Sequence, residues 1–273
     1  MISVITPVYN GERFIEGCIQ AVIKQNCPDV EHIIVDGCSS DRTMEIVKGY
    51  AAHHPHIRWL SEPDQGQSDA MNKGIALAKG DILSFLNVDD YYEPNVLNRV
   101  TEIFKTLPQP SLLVGNCNIW DRDDHIRFVN KPKHLKLEDL LLGDDVNPMP
   151  YNPSAYFYHT SLHQLVGLYD LNEHYCMDLD FLLRAVQVAH LRYVNEVWGN
   201  FRRIEGTKTF SIGEQGLLAS HSERVLNKYQ QQLPWFQRTL ISWKRQFFKA
   251  IQWNRIKYFR EHPERLIPLL KTQ

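Results

Sequence analysis

Short apolar segments of strand length alternate with segments of helical periodicity from the N-terminus of this chain to about residue 107. Strands that alternate with helices are joined by right-handed crossovers, which place successive strands parallel in one sheet. The pattern therefore predicts an α/β fold with a mostly parallel sheet flanked by helices. The predicted strands are Ile2–Asn10, Val30–Asp36, Ile57–Leu60 and Gly80–Asp90.

Size and composition restrict the class of protein. The 273 residues can form one large domain with a small appendage, and we predict a division into 1–220 and 221–273. The net charge of −2 argues against nucleic-acid binding, which usually requires a basic domain. Five scattered cysteines without a Cys-x-x-Cys pair predict free thiols in a reducing compartment. Neither a signal peptide nor an apolar run of about 20 residues is visible, so we expect a cytoplasmic protein, free or peripheral on the inner face of the plasma membrane.

The fourth predicted strand ends at two adjacent carboxylates, in the sequence Asn87-Val88-Asp89-Asp90. Ligands of open parallel sheets bind outside the carboxyl ends of the strands. Two neighbouring carboxylates repel each other unless a cation neutralises them, which favours a divalent ion as their partner. The alternative is a helix N-cap, because an acid ahead of Glu93-Pro94 could accept hydrogen bonds from free backbone N–H groups. The strand end alone leaves both interpretations open.

The segment Gln67–Lys79 has a polar helical face formed by Asp69, Asn72 and Lys73. These residues are spaced i, i+3 and i+4, so they share one side of the helix. One interpretation is a solvated face with an Asp69–Lys73 ion pair. The other is a face turned toward the crevice, where it would offer hydrogen bonds to a ligand.

A later helix starts at Cys176-Met177-Asp178-Leu179-Asp180 and carries two acids in its first turn. The two acids lie about 200° apart around the helix and cannot face the same way. Asp180 has Arg184 four residues later, which predicts an ordinary exposed ion pair. Asp178 lacks such a partner, so it either stabilises the helix dipole or points into a site.

The tail differs in character from the rest of the chain. From Pro234 to Gln273 it has nine Lys/Arg and two acids, with aromatic residues interleaved. One interpretation is an interfacial helix that contacts an anionic membrane surface. The other is a helix docked on its own domain or on a partner subunit. The predicted apolar stripe consists of Leu240, Trp243, Phe247, Ile251 and Tyr258, flanked by Phe248 and Phe259.

In their order along the chain, these segments resemble the family 2 glycosyltransferases, whose nucleotide-sugar-binding α/β fold is called GT-A. The resemblance covers roughly residues 1–205 and implies a Rossmann-like GT-A domain with a C-terminal helical extension. The motifs that carry it are Thr6-Pro7-Val8-Tyr9-Asn10, Val35-Asp36-Gly37 with Ser39-Ser40-Asp41, Asp64-Gln65-Gly66 with Asp69–Gly74, Gly80-Asp81 with Leu86–Asp90, Gly167–Asp170, and Asp178-Leu179-Asp180 with Arg184.

The resemblance implies roles on the side of the nucleotide-sugar donor. Asp36, at the end of the second strand, would hydrogen-bond the nucleotide base, in a pocket lined by Thr6 and Pro7. Asn87 stands where many relatives have Asp, so we expect it to contact the donor without charge. The polar helix face near the ribose, phosphate or sugar would be Asp69, Asn72 and Lys73.

The resemblance also implies the catalytic groups. Asp89 and Asp90 would hold Mg²⁺ or Mn²⁺ on the diphosphate of the donor, and Asp178 would act as general base toward the acceptor hydroxyl. Many relatives carry a His shortly after the last strand, where this chain has Arg202–Gly206. Glu205 is the candidate replacement, unless the site lacks that ligand.

The activity that follows is transfer of a sugar, with inversion, from a nucleotide-sugar donor to a saccharide or lipid-linked acceptor in polysaccharide or glycoconjugate assembly. A sugar nucleotidyltransferase would be expected to have a Gly-rich phosphate loop after the first strand, and Thr6–Glu12 has only Gly11. A non-catalytic nucleotide-sugar or partner-binding module is the other alternative. The presence of Asp178 favours the enzyme.

Overall fold

The computed structural model describes residues 1–122, 124–150, 152–203, 205, 207, 210 and 217–261, with side chains described as far as residue 251 except at Leu217. Nine strands are formed by these residues. They are β1 (Ile2–Val8), β2 (Val30–Asp36), β3 (Ile57–Ser61), β4 (Ile82–Phe85), β5 (Tyr91–Tyr92), β6 (Ser111–Arg122), β7 (His125–Asn130), β8 (Tyr156–His159) and β9 (His190–Arg202).

Helices connect and cover the strands. They are α1 (Ile15–Ile23), α2 (Thr43–Ala51), α3 (Gln67–Leu77), α4 (Val96–Phe104), α5 (Leu137–Leu140), α6 (Leu162–Val166), α7 (Met177–Ala185), α8 (Leu217–Gln230) and α9 (Trp235–Glu261). None of the helices in the described part of the chain is long and apolar enough to cross a membrane.

The strands form one sheet in the order β3-β2-β1-β4-β8-β6-β9-β5, and β7 pairs with β6. The first four strands are parallel to one another, as the alternation of strands and helices predicts. The second half is mixed, because β8 runs antiparallel to both β4 and β6 while β6 and β9 are parallel. The α/β class is therefore confirmed, with a parallel half and a mixed half.

The core lies on both faces of the sheet. Every residue of β1 is buried, and its apolar side chains belong to three clusters of the core. Val4 packs with residues of α1 and α4, whereas Ile5 packs with residues of α3 and α7. Burial on both faces explains why this strand is almost entirely apolar.

The strand register brings three loops together at one edge of the sheet. Val8 is paired with Asp36, and Ile5 with Phe85, so β1, β2 and β4 end side by side. Hydrogen bonds then link the loops after β1 and β2, since the backbone N–H of Asn10 donates to Ser39 Oγ at 2.7 Å. The crevice predicted from the strand ends lies here.

The C-terminal helices pack on this domain. Val225 and Leu226 of α8 are buried in the same core cluster as α7, and Ile241 of α9 is buried there too. Arg245 of α9 forms two hydrogen bonds with Glu223 of α8, at 3.0 and 2.6 Å. The division at residue 220 falls within α8 and stays a prediction.

Candidate active site

A cleft of about 440 Å³ opens at the carboxyl ends of β1 and β4, a volume within the range of small-molecule sites. Its walls come from the loop after β1, the start of α3, the loop after β4 and the end of β9. Of the predicted site residues, Pro7, Asn87 and Asp89 line it. The other lining residues are Val8, Tyr9, Asn10, Gly11, Phe14, Asp64, Gly66, Gln67, Ala70, Val88, Phe201 and Thr207.

Asp89 presents a largely desolvated carboxylate to this cleft. Burial raises the pKa of Asp89, against the opposing effect of the Arg202 guanidinium charge. The cost of holding this charge out of water would fall if a cation bound beside it. Asp89 thus has the position and the chemistry of a ligand for a cation.

Asp90 is not among the residues that line this cleft, and its role as a metal ligand stays a prediction. Its carboxylate is buried, and it accepts hydrogen bonds from Asn152 Nδ2 at 2.6 Å and Asn87 Nδ2 at 3.0 Å. A third comes from the backbone N–H of Arg202 at 3.1 Å. Burial and the nearby Asp89 charge raise the pKa of Asp90 well above its usual value. With three donors on its two oxygens, Asp90 anchors the loop after β4.

Asn87 connects this loop to α3. Its Oδ1 accepts a hydrogen bond from Gln67 Nε2 at 3.2 Å, while its Nδ2 donates to Asp90. An aspartate at position 87 would place a third carboxylate here and would lose the N–H that Asp90 receives. The uncharged residue at this position therefore suits the acidic pair that follows it.

Asp36 lies at the end of β2, where the sequence predicts a contact with the nucleotide base. Its carboxylate is buried and accepts hydrogen bonds from Ser61 Oγ at 2.6 Å, from Ser39 Oγ, and from the Ser39 backbone N–H at 3.1 Å. The base contact at Asp36 stays a prediction.

Thr6 is not among the residues that line the cleft, and its role in a base pocket stays a prediction. Its side chain is fully buried, where its Oγ1 lies 2.9 Å from His32 Nε2 and 3.5 Å from Cys18 Sγ. Side chains alternate along a strand, so Thr6 points into the core below the site. Its neighbour Pro7 lines the cleft.

The polar face of α3 supports neighbouring loops rather than lining the cleft. Asn72 uses both ends of its amide on the backbone of Tyr169, donating to the carbonyl oxygen and accepting from the N–H, each at 2.9 Å. Lys73 lies 3.0 Å from Glu62 and 3.4 Å from Asp69, and it donates to the Pro63 carbonyl oxygen at 2.7 Å. The predicted ion pair is thus present. The donor contacts implied for Asp69, Asn72 and Lys73 stay a prediction.

Asp178 occupies the first turn of α7 and is partly exposed. The Tyr156 hydroxyl donates a hydrogen bond to its Oδ1 at 3.1 Å. Burial of Tyr156, together with the Asp178 charge, raises the pKa of this phenol well above its usual value, so the phenol stays a donor. Tyr156 thereby fixes the orientation of the carboxylate predicted to be the base.

Asp180 is buried, which corrects the prediction of an exposed ion pair. Arg184 Nε donates to its Oδ2 at 2.9 Å, and Lys228 Nζ and Tyr229 Oη of α8 donate to its Oδ1 at 3.0 and 2.8 Å. Burial would raise the pKa of Asp180, but these hydrogen bonds and charges hold it below the usual value. Asp180 therefore joins α8 to the helix that carries Asp178.

We expect Asp180→Ala to lower the free energy of unfolding by about 2–4 kcal/mol, because Arg184 and Lys228 lose a desolvated partner. Urea unfolding at neutral pH measures the change. Glu45→Ala is the matched control, since Glu45 pairs with Arg42 at 3.0 Å on the exposed surface of α2. That variant should lose less than about 1 kcal/mol. Equal losses in the two variants would contradict the role given to Asp180.

Sequence reasoning missed much of the cleft wall, including Asp64 and Gln67. The signal for Asp64 was the motif Asp64-Gln65-Gly66, where Asp64 Oδ1 accepts the backbone N–H of Gly66 at 2.9 Å. Gly66 has φ +115°, a conformation that favours glycine, and it turns the chain into α3. No comparable local signal marks the other wall residues Tyr9, Phe14 and Phe201.

Glu205 is placed beside α1, where its backbone carbonyl oxygen accepts a hydrogen bond from Arg13 Nη1 at 3.1 Å. Its role at a metal site stays a prediction.

Within the described residues, no group of three or more His, Cys, Asp or Glu side chains is placed to hold a metal ion. A cation at Asp89 would therefore need most of its ligands from a bound molecule or from water. Such a site is typical of Mg²⁺, which often uses one or two carboxylates together with phosphate oxygens.

Comparison with known proteins identifies the family. The family model described as "Glycosyl transferase family 2" matches residues 3–161. An uncharacterized glycosyltransferase of Mycobacterium tuberculosis, Rv1514c, is 34% identical over 190 residues, which is 69% of this chain and 70% of the relative. The glycosyltransferase EpsJ of Bacillus subtilis, also uncharacterized, is 38% identical over 133 residues, or 49% of this chain. That match spans only 38% of the length of EpsJ.

Solved structures show the same fold. TarS 1–349 of S. aureus in complex with UDP-GlcNAc superposes with a TM-score of 0.63 at 20% identity, covering 77% of this chain and 60% of that one. The mannosyltransferase PcManGT from Pyrobaculum calidifontis, in complex with GDP-Man and Mn²⁺, gives a TM-score of 0.57 at 18% identity, covering 81% of this chain and 62% of that one. The chain belongs to glycosyl transferase family 2 and is a glycosyltransferase with the GT-A fold.

Proposed function

We propose that this protein transfers a sugar from a nucleotide-diphosphate sugar to a hydroxyl group of a saccharide or lipid-linked acceptor, with inversion, in polysaccharide or glycoconjugate assembly. The observation that carries the proposal is the desolvated Asp89 carboxylate on the wall of a 440 Å³ cleft at the strand ends. The nucleotide sugars in the TarS and PcManGT complexes support a donor of this class.

The donor would lie in the cleft with its diphosphate beside Asp89. Pro7 and Tyr9 would form the wall on the side of β1, and Gln67 with Asn87 would form the opposite polar wall. We propose Asp36 as the partner of the nucleotide base, with the hydroxyls of Ser39 and Ser61 holding the Asp36 carboxylate in place. This arrangement leaves Asp69, Asn72 and Lys73 to hold the loops around the donor.

The Asp89 carboxylate suits a divalent cation, Mg²⁺ or Mn²⁺. The carboxylate is largely buried at the cleft, and burial raises its pKa, so a cation there would offset an existing desolvation cost. Asp89 would bind the ion directly. Asp90 would support the loop that carries Asp89 through its hydrogen bond with Asn87. When bound, the ion supplies Lewis-acid stabilisation of the diphosphate leaving group.

Asp178 would remove the proton of the acceptor hydroxyl. As the acceptor oxygen forms its bond to the anomeric carbon, the bond from that carbon to the diphosphate oxygen breaks and the proton passes to Asp178. The Tyr156 hydroxyl would keep the receiving carboxylate in place. One base and one leaving group support a single in-line displacement, which inverts the configuration at the anomeric carbon.

A thermal-shift screen of UDP-, GDP- and dTDP-sugars with and without Mn²⁺ tests the proposal. A donor that binds the folded state raises the free energy of unfolding by mass action, by about 2.7 kcal/mol at a hundredfold excess over Kd. We expect one nucleotide class to raise the Tm more strongly with Mn²⁺, and to release nucleoside diphosphate when acceptor is added. Binding without any release would instead favour a non-catalytic binding module, and no shift with any nucleotide sugar would contradict the proposal.

A further inference from the structure

From Trp235 to Ile251, where its side chains are described, the helix α9 contacts the domain along one side. Ile241 is buried against α8, and Arg245 pairs with Glu223. Lys249 lies 3.8 Å from Asp145 on the domain surface. These contacts confirm that the described part of the tail docks on its own chain, and they leave the remaining faces of the helix outward.

A continuous apolar stripe occupies one of these outward faces. At about 100° per residue, the stripe lies about 120° around the helix from the buried Ile241. Trp243 is 59% exposed and Phe247 48% exposed, and their rings stack with centroids 5.4 Å apart. Soluble proteins rarely leave so continuous an apolar surface without a partner. The stripe consists of Phe236, Leu240, Trp243, Phe247 and Ile251.

The charge of the same helix indicates the kind of partner. From Trp235 to Ile251 there are four basic residues and no acid. A cationic helix with exposed Trp and Phe is the composition of helices that lie in the headgroup region of anionic bilayers. These 17 residues span about 26 Å at 1.5 Å per residue. The basic residues are Arg238, Lys244, Arg245 and Lys249.

A second copy of the chain is a poorer partner for this face. Arg245 and Lys249 already lie beside Glu223 and Asp145. Pairing two such stripes would still bring together two helices that each carry Arg238 and Lys244, with no acid between Trp235 and Ile251 to compensate these charges. Like charges at that distance repel. An anionic lipid surface matches both the apolar and the charged character of the helix.

We propose that the apolar stripe of α9 inserts into the headgroup region of an anionic membrane while the opposite side of the helix stays docked on the domain. The inference rests on the surface of α9 and is independent of the proposed donor and mechanism. It would hold the glycosyltransferase domain at the surface of the membrane.

Co-sedimentation of the intact protein with phosphatidylcholine vesicles, with and without phosphatidylglycerol, tests the proposal. We expect binding to the vesicles that contain phosphatidylglycerol, and much weaker binding to phosphatidylcholine alone. Binding should weaken as salt rises from 0.1 to 1 M, because the Debye length falls from about 10 to about 3 Å. The double variant Phe247→Ala/Ile251→Ala should bind at least about tenfold more weakly, since two half-exposed apolar side chains leave the contact.

The control is the double variant Ile126→Ala/Phe128→Ala on β7. It also removes one aliphatic and one aromatic side chain, which are 40% and 42% exposed, close to the exposure of Ile251 and Phe247. Both variants should keep the Tm of the parent, and only the control should keep its vesicle binding. Equal binding by all three proteins, or none by the parent, would overturn the proposal. So would a lipid-free dimer that Phe247→Ala/Ile251→Ala dissociates, because the face would then be an interface between copies.

Discussion

Asp178→Asn is expected to lower turnover by about 10²- to 10⁴-fold, the range typical of losing a general base. The amide has the shape of the carboxylate, and its oxygen can still accept the hydrogen bond from the Tyr156 hydroxyl. It cannot take the proton of the acceptor, however, so the chemical step should slow while the donor still binds. Release of nucleoside diphosphate under saturating donor and acceptor measures turnover, and titration calorimetry measures donor affinity.

The control for this variant is Asp121→Asn. Asp121 is an exposed carboxylate on the β6–β7 hairpin that interacts with His125 at 2.7 Å, outside the cleft. Its amide should keep full turnover. Near-normal turnover in Asp178→Asn would contradict the assignment of the base, and a large loss of donor affinity would show that Asp178 serves binding instead.

The fold could be predicted where local pattern determines it. Apolar strands at the N-terminal half alternate with helices, and a parallel arrangement follows from the handedness of the connections alone. The second half could not be predicted in this way. The antiparallel placement of β8 between β4 and β6 depends on long-range packing.

The sequence predicted where on the sheet the candidate site lies, but only some of the contacts of its residues. Asp89 lies on the cleft because a strand end is a local feature that the sequence displays. The hydrogen bonds of Asp90, Asn72 and Asp180 could not be predicted, because their partners are distant in sequence. Asn152 is 62 residues from Asp90, Tyr169 is 97 from Asn72, and Lys228 is 48 from Asp180. The sequence does not distinguish a polar residue that forms hydrogen bonds with remote segments of the chain from one that binds a ligand.

The second large effect is expected for Asp89→Asn, which should weaken Mn²⁺-dependent donor binding by at least about a hundredfold. An amide brings no negative charge to the cation, and metal–phosphate stabilisation is worth several kcal/mol. Donor affinity without metal should change little. Titration of the donor in Mn²⁺ and in a chelator measures the two quantities, and an unchanged affinity in Mn²⁺ would remove Asp89 from the metal site.

The neighbouring variant Asp90→Asn is the matched comparison. The two substitutions should change the free energy of unfolding in opposite directions. Asp89→Asn removes a desolvated charge that also raises the pKa of Asp90, so the unliganded protein should gain about 0.5–2 kcal/mol in free energy of unfolding. Asp90→Asn should lose about 1–3 kcal/mol, because an amide cannot accept the three N–H donors from Asn152, Asn87 and Arg202. If both variants lose stability equally, the division between a ligand-facing Asp89 and an anchoring Asp90 is wrong. A gain in stability with a loss of metal-dependent binding at Asp89 is the result expected of a carboxylate placed there for a cation rather than for the fold.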